Sequence, residues 1–310
     1  MSRSRTLLTA AAAAAAAAAV TRALTLRRHR ALLAGRARLG AAGIVEGAEA
    51  IELSAPGGAP EGAPADRAVL VLHGFGDTPQ SVGYLAGFLH GSGWMVRAPL
   101  LPGHGRTLGD FVATGADDWI AHARAELALL RERAPRVAVV GQSMGGAIAT
   151  ILAAEEPAPD ALVLLAPYVG MPDYLRRLAR SWPLWEPLLP FVGARGESSI
   201  LDEDERARSL AYGAVSGRLL RQLLGVVQRA REAAPRVAAP TLVVQSRRDN
   251  RIAPETARAA FERLGSRRKR LVWLDEGAHV LAVDRGRDRL FALVAAWLDG
   301  AVLPTAGRGV

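Results

Sequence analysis

The sequence has no cysteine among its 310 residues, few aromatic side chains and a single lysine, Lys269. The absence of cysteine excludes a thiol nucleophile, a thiolate metal site and a disulfide framework. It leaves the cellular compartment open, because a chain without cysteine is compatible with reducing and oxidising surroundings.

Acidic residues are missing from residues 1–45, and this absence accounts for most of the net charge of +9. Eight arginines lie in that segment, so residues 46–310 carry a net charge of only +1. The arginines are Arg3, Arg5, Arg22, Arg27, Arg28, Arg30, Arg36 and Arg38. Because the body of the protein is nearly neutral, the charge does not indicate a nucleic acid as partner.

The N-terminal segment also lacks a long, strongly apolar run. About 16 uncharged residues, including Ala10–Ala19, separate Arg5 from Arg22. A membrane span needs roughly 20 apolar residues. Six arginines follow the run and two precede it, and such a flank tends to stay cytoplasmic, which disfavours secretion.

Four interpretations of residues 1–43 remain open. The segment is a poor signal peptide, a weak membrane anchor with the protein on the cytoplasmic side, a basic tail (residues 1–40) on an anionic membrane, or a disordered extension with no role. We therefore expect a cytoplasmic or membrane-associated protein.

From Ile44 onward, short apolar runs alternate with helical stretches, a pattern typical of βαβ units and a mostly parallel sheet. Most of the runs are apolar throughout, as expected for strands covered by helices on both faces. The predicted strands are Ala68–Leu72, Met95–Pro99, Val137–Val140, Leu162–Leu165, Thr241–Gln245 and Arg270–Leu274, with an earlier strand pair within Ile44–Leu53. The predicted helices include Asp117–Arg133, Met144–Glu155, Pro254–Leu264 and Asp284–Leu298.

The alternation fails between about residues 169 and 236, where the chain is helical in pattern and rich in tryptophan and proline. We interpret this segment, called the cap below, as an insertion after the sixth predicted strand. The sequence thus predicts one α/β domain over residues 44–302 and a flexible tail over residues 303–310.

A G-x-S-x-G sequence, Gly141–Gly145, lies between an apolar strand and an alanine-rich helical stretch. Small residues at 141 and 145 allow a tight strand-to-helix turn that presents the Ser143 hydroxyl at the edge of the sheet. The first residues of the following helix point their N–H groups at the same place. This context favours a nucleophile over a chance glycine-rich turn.

A serine hydroxyl needs a base to accept its proton during attack, and His279 is the best placed of the six histidines. It follows the last predicted strand and lies C-terminal to Ser143, which is the chain order this turn requires. His29 lies in the basic segment, His90 and His122 in helical stretches, and His73 and His104 in glycine-flanked loops.

The base in turn needs a carboxylate that holds its tautomer. Asp249 stands just past the strand Thr241–Gln245 and completes the order Ser143, Asp249, His279. Because Asp-Asn is also a common turn pair, Asp275 remains a substitute. For the negative charge on a substrate oxygen we predict two donors, the backbone N–H groups of Phe75 and Met144.

These residues together resemble the carboxylesterase and monoacylglycerol lipase branch of the α/β-hydrolases, over roughly Ala68 to Leu298. The resemblance rests on His73-Gly74-Phe75-Gly76, Pro102-Gly103-His104-Gly105, Thr114-Gly115-Ala116-Asp117-Asp118-Trp119, the Ser143 turn, Asp249 with Ile252 and Pro254, and Gly277-Ala278-His279-Val280. It implies hydrolysis of small-molecule esters through an acyl-enzyme, an acyl chain held under the cap, and no cofactor or metal.

The cap contains an apolar run broken by three prolines, which suits a lid over a lipid-like acyl pocket. The alternative is that these side chains bury the cap's own core. The residues predicted to contact substrate are Trp182, Trp185, Leu188 and Phe191.

Three other functions stay open at this stage. An acyltransferase would use the same serine, histidine and aspartate, and a non-catalytic binding protein would share the fold. A peptidase is also possible within the fold, but it ranks below an ester hydrolase, because the sequence does not place acidic residues of the cap in a site for a substrate amine. The sequence favours hydrolysis of a short-to-medium acyl ester or a monoacylglycerol-like ester. It does not indicate the oligomeric state.

Overall fold

The alternating apolar runs form one central sheet in the computed structural model, which describes residues 2–36, 39–40, 42–55, 64–187, 189–193 and 198–302. The strands are β1 (Ile51–Leu53), β2 (Ala68–Leu72), β3 (Met95–Ala98), β4 (Val137–Gln142), β5 (Ala161–Leu165), β6 (Val192–Gly193), β7 (Ala214–Val215), β8 (Thr241–Ser246) and β9 (Lys269–Leu274). The predicted tail at 303–310 lies outside the described residues.

The helices lie between and after these strands. They are α1 (Ser2–Arg36), α2 (Gly83–Gly91), α3 (Leu108–Ala113), α4 (Ala116–Arg133), α5 (Met144–Leu152), α6 (Asp173–Arg180), α7 (Trp182–Trp185), α8 (Glu203–Arg208), α9 (Gly217–Ala233), α10 (Pro254–Arg263) and α11 (Arg287–Val302), with 3-10 helices at Pro79–Val82 and Ala234–Arg236.

Seven strands pair in the order β1-β3-β2-β4-β5-β8-β9. Only β1 runs antiparallel to its neighbour, β3, so the sheet is mostly parallel as predicted. Because the other strands are parallel, the loops after β2, β4, β5, β8 and β9 all leave from one edge of the sheet. That edge carries the predicted site.

The central strands β2, β4, β5 and β8 are buried on both faces, which confirms the prediction drawn from the continuous apolar strands. Alternate residues of a strand point to opposite faces. Leu70 and Leu72 of β2 join the apolar cluster that contains side chains of α4, α5 and α9. Val69 and Val71 join the cluster that contains side chains of α2 and α11.

Three predicted elements differ in the structure, the first being α5, which ends at Leu152 instead of Glu155. Within Ile44–Leu53 only β1 is a strand, because Gly47 turns the chain with φ of 85° and leaves Val45 in an isolated bridge with Leu39. The cap therefore leaves the sheet after its fifth strand, not its sixth. The last helix begins at Arg287 instead of Asp284, since Gly286 before it has φ of 80°.

Between β5 and β8 the chain leaves the sheet and forms α6, α7, α8, α9 and the separate antiparallel pair of β6 and β7. Helix α9 links this segment to the sheet, because buried leucines on one of its faces, including Leu219 and Leu223, join the apolar cluster that holds α5. The Ser216 side chain begins α9 by accepting the Leu219 N–H at 3.2 Å.

The N-terminal helix α1 contains one stretch, Leu8–Arg27, that is long and apolar enough to cross a membrane by length and composition. None of that 20-residue stretch is buried inside the protein. A signal sequence near an N-terminus meets the same criteria. The helix is therefore weak evidence for an anchor or a signal.

We predict that Gly145→Ala lowers the free energy of unfolding by about 1 to 3 kcal/mol, because an added methyl group at a close-packed site forces the backbone to shift. A Cβ at Gly145 would lie 2.6 Å from the carbonyl oxygen of His73 and closer still to that of Leu72. Gly87→Ala is the matched control, since nothing lies within 4 Å of a Cβ there. The control should be neutral or stabilising by up to about 1 kcal/mol in the middle of α2. Urea unfolding of both variants checks this, and equal effects at the two sites would contradict it.

Candidate active site

Ser143 lies in a strained turn between β4 and α5. Its φ of 56° is in the left-handed region, which residues other than glycine rarely adopt. Two backbone hydrogen bonds hold it there: the Ser143 N–H donates to the Leu165 carbonyl at 2.9 Å, and the Tyr168 N–H donates to the Ser143 carbonyl at 2.9 Å. The end of β5 thus fixes the serine at the carboxyl edge of the sheet.

His279 reaches Ser143 from the loop after β9. Its Nε2 lies 2.8 Å from Ser143 Oγ, a hydrogen-bond distance. The loop is held in place by buried partners: Ser246 Oγ donates to the Gly277 carbonyl at 2.7 Å, and the Ala278 N–H donates to the Asp284 carboxylate at 2.7 Å.

Asp249 lies behind His279, with its carboxylate fully buried. Its Oδ2 is 2.9 Å from His279 Nδ1 and accepts a second hydrogen bond from Gln245 at 2.6 Å. Its Oδ1 accepts the N–H groups of Arg251 and Ile252 at 2.7 and 2.9 Å. By contrast, Asp275 is exposed and pairs with Arg247, so the structure does not bring it to the histidine.

The hydrogen bonds that Asp249 accepts keep its carboxylate ionised. Burial alone would raise its pKa, but the interactions with His279 and with the two backbone N–H groups outweigh it, so the pKa of the carboxyl lies below its ordinary value. Asp249 is therefore ionised at neutral pH. An ionised Asp249 favours the tautomer in which Nδ1 carries the proton and Nε2 faces Ser143 as an acceptor.

The two predicted oxyanion donors flank Ser143. Met144 is the first residue of α5, so its N–H has no acceptor within the helix. Phe75 lies in the loop after β2, next to Gly74, whose Cβ position would be 3.3 Å from Ser143 Cβ. The loops after β2 and β4 thus approach each other closely beside the serine.

The buried histidines His73 and His104 stabilise the surrounding loops. Burial lowers the pKa of His73 to about 4, so the ring is neutral. Its Nε2 accepts the Leu101 N–H at 3.1 Å, and its Nδ1 therefore donates to the Gly74 carbonyl at 3.0 Å. Burial also holds the pKa of His104 well below its ordinary value. Neither ring contacts Ser143.

A cavity of about 400 Å³ opens onto Ser143 and His279. The sheet contributes its loops to one side, and the cap contributes apolar side chains to the other. The cap residues that line it include Tyr174, Leu175, Leu178, Val192, Val215, Leu220 and Leu223. The site is therefore a mainly apolar chamber with the serine in its wall, the setting that a ligand with an apolar chain requires.

Three of the four cap residues predicted to contact substrate, Trp182, Trp185 and Phe191, are not among the described residues that line this cavity. Trp182 and Trp185 pack on the start of α9, where a Cβ at Gly217 would lie 2.7 and 2.6 Å from them. The Trp185 indole donates to the Leu178 carbonyl at 2.9 Å, and Phe191 is buried in the apolar cluster. Leu188 lies outside the described residues. Trp185 and Phe191 thus pack into the apolar core, as in the alternative left open by the sequence.

Several residues of the site were missed by sequence reasoning. Arg251 and Ser199 line the cavity, as do Asp77 and Tyr168. Arg251 stands two residues after Asp249 and Asp77 two residues after Phe75, so their closeness to predicted site residues was the available signal. No comparable signal marks Ser199, which lies within the cap.

Asp284 is a further buried acid outside the cavity. Its carboxylate accepts the N–H groups of Leu201 and Asp202 at 2.8 to 2.9 Å, besides that of Ala278. One carboxylate thus joins the cap to the loop that carries His279. Within the described ranges, no group of three or more histidine, cysteine or acidic residues is arranged to hold a metal ion.

Comparison with known proteins gives consistent matches. A family model described as serine aminopeptidase, S33, matches residues 63–286. The chain is 28% identical over 244 residues to a carboxylesterase of Bacillus subtilis (strain 168), covering 76% of this chain and 93% of that protein. It is 29% identical over 216 residues to a thermostable monoacylglycerol lipase of Bacillus sp. (strain H-257), covering 70% and 84%.

Solved structures agree with these matches. A structure described with the metagenome-derived lipolytic enzymes LipS and LipT has a TM-score of 0.73 and 29% identity, covering 82% of this chain and 98% of that chain. A monoacylglycerol lipase of Paleococcus ferrophilus, 21% identical with a TM-score of 0.67, shares the fold and covers 81% and 98%. The fold predicted from the sequence is thereby confirmed.

We predict that Asp77→Asn stabilises the protein above pH 6 and has no effect below pH 4. Burial raises the pKa of Asp77 from 3.8 to about 6, so the folded state loses stability as the pH rises from about 4 through 6. Asparagine cannot ionise, and the gain in unfolding free energy at pH 8 should be about 1 to 3 kcal/mol. Urea unfolding at pH 4 and pH 8 measures it. Asp173→Asn, on an exposed side chain, is the control, and a gain that does not change with pH would refute the prediction.

Proposed function

The chain belongs to the serine aminopeptidase S33 family of α/β-hydrolases, and on that premise we propose that it hydrolyses carboxylic esters with Ser143 as nucleophile, His279 as general base and Asp249 as the orienting acid. The main support is a continuous chain of hydrogen bonds through His279. Its Nδ1 lies 2.9 Å from Asp249 Oδ2, and its Nε2 lies 2.8 Å from Ser143 Oγ. These hydrogen bonds end in the wall of an apolar cavity.

The proposed reaction has two halves. Ser143 Oγ attacks the ester carbonyl while His279 Nε2 takes the hydroxyl proton, and the N–H groups of Phe75 and Met144 stabilise the negative charge on the carbonyl oxygen. The intermediate collapses as His279 returns the proton to the departing alcohol, leaving an acyl-enzyme. Water, deprotonated by His279, then attacks the acyl carbon and releases the carboxylic acid together with free Ser143.

The charges around the cavity favour an ester over a peptide as the substrate. An aminopeptidase must bind a substrate ammonium group, for which an acidic cluster is suited. Among the described residues that line the cavity, Asp77 is the one carboxylate. It already accepts the Thr78 N–H at 2.9 Å, and Arg251 adds a positive charge to the same cavity. Relatives named carboxylesterase and monoacylglycerol lipase support the same choice.

The cavity supports a lipid-like substrate. Its walls are mostly apolar, and the cap supplies leucine, valine and tyrosine side chains opposite Ser143. We infer a short-to-medium acyl ester or a monoacylglycerol-like ester. The proposal treats residues 44–302 as the catalytic domain and residues 169–236 as its cap.

We expect hydrolysis of p-nitrophenyl esters from acetate to palmitate, with the highest kcat/KM on short-to-medium chains. Ser143→Ala should lower kcat by about 10⁴-fold or more, because the serine and histidine act as a unit. Asp249→Asn should lower it by about 10⁴-fold through the wrong histidine tautomer. Ser92→Ala, at the end of α2 and away from the cavity, is the control and should keep full activity. Full activity in Ser143→Ala would contradict the assignment.

An acyltransferase would use the same residues, so the products decide between the two reactions. With a neutral p-nitrophenyl ester and added glycerol at low concentration, we expect free carboxylic acid as the main product. A dominant glycerol ester would favour transfer over hydrolysis. Absence of turnover on all esters would favour a binding protein.

For residues 1–43 we propose a weak anchor that holds the enzyme at the cytoplasmic side of a membrane. The exposed Leu8–Arg27 stretch and the arginines that follow it support this arrangement. The full-length protein should sediment with membranes and resist a wash in 1 M salt, whereas a variant lacking residues 2–36 should be soluble and equally active. Release by salt would indicate a basic tail, and a mature protein lacking the segment by mass would indicate a signal peptide.

A further inference from the structure

Arg251 is a cation in the wall of the cavity that holds Ser143. It lies in the loop after β8, two residues past Asp249, and its side chain is partly buried. Its Nε donates to Ser199 Oγ at 2.8 Å, which fixes the direction of the guanidinium. The guanidinium is therefore held in place in a cavity whose wall also contains Ser143 and His279.

The charge of Arg251 has no acidic partner among the described residues, in which no carboxylate lies within 4.0 Å of it. The nearest acid in sequence, Asp249, is engaged by His279, Gln245 and two backbone N–H groups. An arginine side chain has five N–H donors, and one is used by Ser199. No described residue accepts a hydrogen bond from its terminal nitrogens, which leaves them available to a ligand in the cavity.

The order of the strands places Arg251 on one side of the serine. The loop with Phe75 follows β2, Ser143 follows β4, Arg251 follows β8 and His279 follows β9. Arg251 therefore lies on the His279 side and Phe75 on the other. Because His279 must protonate the departing alcohol, the alcohol portion of an ester lies on the side of Arg251.

A second donor faces the same region. The ring of Tyr168 lies 6.4 Å from that of His279, and Tyr168 lines the cavity. Burial raises the pKa of Tyr168 to about 12, so its hydroxyl keeps its proton. The cavity wall on the His279 side thus includes an arginine and a protonated tyrosine, two residue types whose N–H and O–H donors suit a negatively charged group.

We propose that Arg251 forms an anion-binding subsite for the alcohol portion of the substrate, which would carry a carboxylate or a phosphate. The planar guanidinium binds either anion with two parallel N–H donors. The inference rests on the proposed ester hydrolysis and deepens it: the acyl part is apolar and occupies the cap side, and the alcohol part is anionic.

Arg251 is also linked through Ser199 to the loop that carries His279, so the test must distinguish a structural role of this link from anion binding. Arg251 donates to the Ser199 side chain. The backbone carbonyl of Ser199 in turn accepts the backbone N–H groups of His279 at 3.1 Å and Val280 at 3.0 Å. If Arg251 only braced this loop, its loss would slow every ester to the same extent. An anion subsite predicts a loss confined to anionic esters.

The experiment compares two matched pairs of esters. 1-Octanoylglycerol and 1-octanoylglycerol 3-phosphate differ by a phosphate, and the octanoyl esters of methyl 4-hydroxybenzoate and of 4-hydroxybenzoate differ by a carboxylate. Arg251→Met should lower kcat/KM about tenfold or more on the anionic member of at least one pair, the expected loss of a charged hydrogen bond. On the neutral members it should change kcat/KM by less than about threefold.

Controls make each outcome decisive. Arg251→Lys keeps the charge and should retain part of the anionic rate, and Arg258→Met, on the exposed face of α10, should change neither member. A loss in the phosphate pair alone or the carboxylate pair alone identifies which anion is bound. Equal losses on neutral and anionic esters, or no loss on either, would overturn the subsite. Failure of the wild-type protein on the neutral esters would instead overturn the proposed hydrolysis.

Discussion

The close approach of α5 to the ends of β2 and β4 is the constraint on which the rest of the site depends. At Gly145 the backbone of α5 meets the carbonyl oxygens of Leu72 and His73 with no room for a side chain. In this packing Ser143 occupies a turn with φ of 56°, and backbone hydrogen bonds to Leu165 of β5 and from Tyr168 just after it hold it there. This strained turn persists because the buried strands on either side determine its conformation. The other groups are arranged around this fixed point.

Buried polar groups then join the loops to one another and to the cap. Asp284 binds backbone N–H groups of Leu201 and Asp202 in the cap and of Ala278 beside the histidine. Ser199 links the cap to the His279 loop and to Arg251. A hydrogen bond to a charged carboxylate contributes more than one between neutral groups. The cap and the histidine loop are therefore expected to move together, so the cavity wall and the proposed base are mechanically coupled.

Two opposite charges stand two residues apart after β8 and have different surroundings. Asp249 is fully buried and turned toward His279, while Arg251 faces the cavity. The backbone N–H of Arg251 itself helps to hold Asp249 ionised, at 2.7 Å from Oδ1. In our proposal this short loop serves both the histidine and the leaving alcohol, because a tight turn sends successive side chains in different directions.

The sequence by itself determined the parallel sheet and the positions of Ser143 and His279 at its carboxyl edge, and it offered Asp249 with Asp275 as a substitute; the structure brings Ser143, His279 and Asp249 within hydrogen-bond distance. Those signals are local, since an apolar run, a small-residue turn and chain order are read from neighbouring residues. Only the tertiary structure decided that Ile44–Leu53 contains one strand and not two, that Trp182 and Trp185 pack on α9, and that Arg251 lines the cavity. The direction of a cap or loop side chain depends on packing against elements distant in sequence, and hydrophobicity alone does not encode which partner it meets.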